Sequence, residues 1–103
     1  MTYADLRHIH DSHGFRPTGR KPAKSVRLLH EAYAAWERAE HVKPGRGYLM
    51  PLHLADGHLR QVVLARTGRM LSRPALRALV VDAFNHPRSG MEILPRPYRQ
   101  QVA

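Results

Sequence analysis

The pair Asp56-Gly57 constrains this chain more than any other two residues. A two-residue Asp-Gly loop is a strong hairpin signal, because a type I′ turn needs positive φ at both central positions. Folding the stretch 48–65 at that point sets Leu54 opposite Leu59, Leu52 opposite Gln61, Met50 opposite Val63 and Tyr48 opposite Ala65. One face is then nearly all apolar, and His53, His58 and Arg60 gather on the other face near the turn. Pro51 cannot donate to a ladder, so the first strand reads as an edge. A lone hairpin needs one face covered, and helical patterns on both sides offer the cover. The expected fold class is α+β. Its parts are two N-terminal helices, a central β-hairpin at about 48–65, a C-terminal helix at about 73–86 and an irregular tail. At 103 residues the chain reads as a single small domain, 1–103, with room for one modest core.

The flanking helices have clear signals. Thr2 with Asp5 makes an imperfect capping box, and Leu6, Ile9 and His13 follow at helical spacing until Gly14. Gly14–Pro22 reads as a loop with Phe15 tucked into the core. In Ala23–Glu40, Val26, Leu29, Tyr33 and Trp36 form one stripe uninterrupted by Gly or Pro, which makes the single Trp a core residue. Ser72 can cap the last helix with Pro74 in its first turn. Its apolar face is Leu76, Leu79, Val80, Ala83 and Phe84, and Asn85-His86-Pro87 stops it. Met91–Leu94 reads as a short edge strand or a packed tail, and the final residues as frayed.

Charge narrows the function classes. Seventeen Lys+Arg against eight Asp+Glu give a formal charge of +9. A field of that sign attracts phosphate backbones, anionic membranes or acidic proteins. Only Lys21, Lys24 and Lys43 are lysines, and the remaining cations are arginines, suited to bidentate phosphate contacts. With no cysteine, disulfides, thiolate chemistry and Cys-based zinc sites are excluded. No stretch approaches the length of a membrane span, and the N-terminus has no apolar signal core, so a cytoplasmic location without membrane contact is expected.

Two basic segments stand out as nucleic-acid-binding candidates. Arg16, Arg20, Lys21, Lys24 and Arg27 form a run without an intervening acid. Arg60, Arg66, Arg69, Arg73 and Arg77 form a second acid-free series, with Arg73 and Arg77 one helical turn apart along an edge of the apolar stripe. Arg66 and Arg69 flank the turn into that helix, whose N-terminus itself favours phosphate. Glu31, Glu37 and Glu40 make the second helix the one least suited to phosphate.

Two chemical constellations compete with plain binding. His8, His10 and His13 have ligand-like spacing, but no carboxylate or Cys is placed to complete a shell, so no metal or other cofactor is expected. On the expected hairpin, His53 and His58 with Arg60 have the parts of a metal-free ribonuclease toxin, with His as acid and base. No nucleophile motif, paired carboxylates or phosphate-cradling glycine loop accompanies them. The balance leans away from an enzyme, and no catalytic residue is assigned.

Ser72-Arg73-Pro74-Ala75-Leu76-Arg77-Ala78-Leu79 resembles the start of the recognition helix in GntR-type winged-helix regulators, and Val42-Lys43-Pro44-Gly45 resembles the segment after their first helix. The two pieces lie further apart here than in that family, and the Gly68–Ser72 turn carries extra residues. No residue role follows from so local a likeness. Leu59, Val62 and Val63 do fit helical spacing, so a helix–turn–helix over 58–84 stands as the alternative to the hairpin's second strand. The function expected from the sequence is non-enzymatic nucleic-acid binding through Arg-rich phosphate contacts, with the last helix or the hairpin tip entering a groove. The alternatives are the ribonuclease toxin and a small inhibitor drawn by charge to an acidic partner protein.

Overall fold

The computed structural model describes residues 1–18, 20–40 and 52–94, and for 52–55 the backbone only. In chain order it holds helix α1 (Tyr3–Ser12), strand β1 (Phe15–Pro17), a 3-10 turn (Lys24–Val26) running into helix α2 (Arg27–Ala39), helix α3 (Leu52–Thr67), helix α4 (Arg73–Asn85) and strand β2 (Met91–Ile93). The mixture of helix and strand is as expected, but helices dominate and the strands are elsewhere. No described helix is long and apolar enough to cross a membrane.

The central hairpin is not formed. Leu52–Thr67 is one continuous helix that passes straight through Asp56-Gly57, and Gly57 is not among the positive-φ glycines of the described residues, which are Gly14, Gly68 and Gly90. The apolar residues of this stretch satisfy both periods. Leu59 and Val63 are buried and Val62 is partly buried at helical spacing, and α2 offers a long apolar stripe for them to pack on. Burial against that stripe outweighs the local preference of an Asp-Gly pair, since propensity is a weak prior beside tertiary packing. Tyr48, Met50 and Pro51 of the expected first strand lie outside the described residues, as do Val42–Gly45 and the tail from 95.

The two-stranded sheet joins segments far apart in the chain. β1 and β2 pair antiparallel with Phe15 opposite Ile93, Arg16 opposite Glu92 and Pro17 opposite Met91. Thr18 N–H donates to the Gly90 carbonyl at 2.8 Å and Leu94 N–H to the Gly14 carbonyl at 3.0 Å, which extends the ladder at both ends. Met91–Leu94 therefore does contribute an edge strand, and Gly14–Pro22 is part strand rather than all loop.

Other local signals hold. Thr2 and Asp5 form a complete capping box, and hydrogen bonds from the Thr2 backbone N–H and then its hydroxyl hold the Asp5 carboxyl below its usual range. Ser72 caps α4, accepting from Ala75 N–H at 3.3 Å. Leu6, Phe15, Val26, Leu29, Tyr33, Trp36, Leu76, Val80 and Phe84 join Leu59 and Val63 in one core cluster. Phe15 meets Phe84 with ring centroids 4.5 Å apart, so β1 is tied directly to α4.

Candidate functional site

The sequence singles out ten cations, and the structure divides them by what each side chain meets. Four face partners within the chain. Arg16 pairs with Glu92 directly across the sheet, as opposed charges on neighbouring strands do. Arg66 reaches Glu31 on α2 at 3.1 Å. Arg73 lies 4.0 Å from Asp56 on α3, a carboxylate that is largely buried. Arg77 places its guanidinium 4.8 Å from the centroid of the Tyr3 ring. A fifth, Arg60, is half-buried, and its Nε has no hydrogen-bond partner among the described residues.

The other five, Arg20, Lys21, Lys24, Arg27 and Arg69, are exposed and carry no ion pair among the described residues. Packing brings them together. The Ala23 N–H donates to the Arg88 carbonyl at 3.1 Å, which sets Arg88, also exposed and without an ion pair among the described residues, beside the Arg20–Arg27 segment. Arg88 is held from its other side, where its N–H donates to His86 Nδ1 at 2.9 Å. His30 on α2 donates from Nε2 to the Ser89 carbonyl at 2.6 Å, and locks the return segment onto the start of the same helix. One turn beyond Arg27, Glu31 grips Arg66 in the last turn of α3, and Arg69 follows just past the end of α3. These six cations thus stand in a band around the end of the α2–α3 pair where α2 begins and α3 ends, while the exposed Arg7 and Arg38 are outside that group. Arg88 escapes a reading of the sequence because it stands alone, 61 positions beyond Arg27 in the numbering. The 14–18 and 90–94 pairing, with the His30–Ser89 bond, brings it near.

Helix α4 presents a different surface from the one its arginines suggest. Leu76, Val80, Ala83 and Phe84 face the core, and the row Pro74, Ala78, Asp82 and Asn85 is exposed with no cation in it. Arg73 and Arg77 sit along the border of the packed face, where Asp56 and Tyr3 meet them. α3, the turn Gly68–Ser72 and α4 do make a helix, a turn and a helix over the range weighed as the alternative, with Gly68 at φ +73 ending α3. The Glu31 pair shows that the acid-bearing helix borders the band instead of lying away from it.

The catalytic grouping loses its geometry. His53, His58 and Arg60 converge only on a hairpin; on α3, positions 58 and 60 are about 200° apart around the helix and so lie on opposite sides. The side chain of His53 is outside the description. Among the N-terminal histidines, His10 turns Nδ1 to Asp11 at 3.0 Å and His13 turns Nδ1 to Ser12 at 3.2 Å, so neighbours along α1 take these nitrogens. No group of three potential ligands converges among the described residues. No known protein family, curated protein or solved structure matches the chain. The winged-helix likeness extends no further than the residues that carry it.

Proposed function

We propose that this protein is a non-enzymatic nucleic-acid-binding protein that grips phosphates through the cationic band at the end of the α2–α3 pair. The observation that carries this reading is the set Arg20, Lys21, Lys24, Arg27, Arg69 and Arg88, exposed together with no carboxylate among the described residues bonded to any of them. Three of the chain's eight acids are engaged elsewhere, on Arg16, Arg66 and Arg73. Those pairs remove cations from the sequence's candidate set but leave the band untouched. Concentrated positive charge with no internal neutralisation exchanges its counterions for phosphates, and binding then falls steeply with salt.

The band, more than α4, supplies the grip in this reading. Arg66, held by Glu31 beside the band, is outside this count. Arg16, Arg73 and Arg77 meet partners within the chain instead. The test is a binding titration against mixed-sequence nucleic acid over a salt series. For six contacts on duplex DNA the affinity should drop by roughly five log units per tenfold rise in salt. Absence of binding at low salt refutes the reading and leaves an acidic protein as the partner to seek.

A further inference from the structure

We infer that the ligand of this band is a nucleic-acid duplex, recognised by its paired rows of phosphates, and not a single strand. The inference rests on the nucleic-acid reading above and names the ligand class for the same surface.

Proteins that hold single strands combine a basic groove with aromatic side chains on which the unpaired bases stack. Five of the seven aromatic residues lie among the described residues, and none offers such a platform. Phe15, Tyr33, Trp36 and Phe84 are 1%, 2%, 6% and 8% exposed, all in the core. Tyr3 is half-buried, and its ring lies beneath the Arg77 guanidinium. A base stripped from its helix would find charge on this surface but no Phe, Tyr or Trp ring free to stack on among the described residues. A duplex keeps its bases stacked within itself and needs only its phosphates met.

The mounting of the cations points the same way. Lys24 and Arg27 stand on the 3-10 turn and first turn of a continuous helical segment. The Arg88 backbone is bonded on both sides, and the Arg69 N–H donates to Thr67 Oγ1 at 3.2 Å. The exposed Ser25 lies between Lys24 and Arg27, and its hydroxyl is a further donor for phosphate oxygen. Charges carried on an ordered backbone meet a regular row of phosphates with only their own side chains left to order on the protein side. A flexible strand would instead have to be ordered against them.

The full chain should be titrated with fluorescent duplex DNA, duplex RNA and single-stranded DNA of one length and mixed sequence, over a salt series. The expected result is binding to a duplex at least about tenfold tighter than to the single strand, since the duplex carries the denser charge. Binding to both duplexes supports recognition of the shared phosphate chemistry, and binding to one of them supports the inference and names the source. Equal or tighter binding of the single strand overturns the inference while leaving the nucleic-acid reading intact. No binding to any of the three overturns that reading itself. A triple variant, Lys24→Gln with Arg27→Gln and Arg88→Gln, should lower the duplex-DNA salt slope by roughly 2.7 log units per tenfold salt. Its thermal unfolding should match wild type, because all three side chains are exposed and outside the ion pairs of the described residues. An unchanged slope in the folded variant would move the contact surface away from the band. The wild-type comparison of duplex with single strand decides the inference even if that variant does not fold.

Discussion

Replacing Gly57 with alanine should stabilise this protein. Gly57 is interior to α3, exposed, and free of positive φ. A Cβ built there meets nothing within 4 Å. Glycine inside a helix costs roughly 0.5–1 kcal/mol relative to alanine, because the unfolded glycine has more backbone freedom to lose. With no steric term to set against it, the whole of that difference is expected as a gain. For a domain of this size about 1 kcal/mol corresponds to roughly 4–8 °C in midpoint, so Gly57→Ala should raise Tm by about 2–8 °C. Far-UV circular dichroism during heating is the assay, with the helical signal of the variant equal to or above wild type. A hairpin turn at Asp56-Gly57 predicts the opposite sign, since alanine at positive φ costs roughly 1–2 kcal/mol. A fall in Tm would refute the helix at this position.

Gly90 should behave in the opposite way. Its φ is +67, and an added Cβ would lie 2.9 Å from the His30 ring and 3.2 Å from Pro22 Cβ. Gly90→Ala should therefore lose roughly 1–2 kcal/mol to backbone strain and about 1 more from the displaced His30 bond to Ser89, read as a lowered Tm. Gly68→Ala, with φ +73 but open space around it, should show the backbone part alone, and equal losses for the two would refute the His30 contact. Glu31→Gln frees Arg66 beside the band, so the duplex-DNA salt slope should steepen by about 0.9 with stability changed by less than about 1 kcal/mol. An unchanged slope would remove Arg66 from the interface. Burial holds the Tyr33 phenol well above the usual tyrosine range. Unfolded Tyr33 ionises near pH ~10 and folded Tyr33 later, so its share of stability is intact below that pH and declines as pH rises further. In an alkaline titration followed by tyrosinate absorbance, the Tyr33 step should appear only as the helical signal is lost; a step that precedes unfolding would count against its burial.

Much of the architecture was legible locally. Thr2–Asp5, Gly14, the Val26–Trp36 stripe and Ser72-Arg73-Pro74 each place a helix boundary or a buried face, because caps and 3.6-residue periodicity act within one turn of the chain. The basic character of the surface was equally legible, since net charge does not depend on fold. Three things belonged to the tertiary structure. Asp56-Gly57 with Leu59 and Val63 satisfies both a strand and a helix pattern, and only the apolar stripe of α2 across from it selects the helix. The strands pair across the length of the chain, so no local signal could tell Phe15–Pro17 that its partner is Met91–Ile93. That same pairing carries Arg88 to Ala23, while Glu31, Asp56 and Glu92 reach Arg66, Arg73 and Arg16 from other elements. A sequence counts charges; which of them are neutralised by a neighbour, and which stand together facing solvent, depends on contacts over distances the chain closes only when it folds.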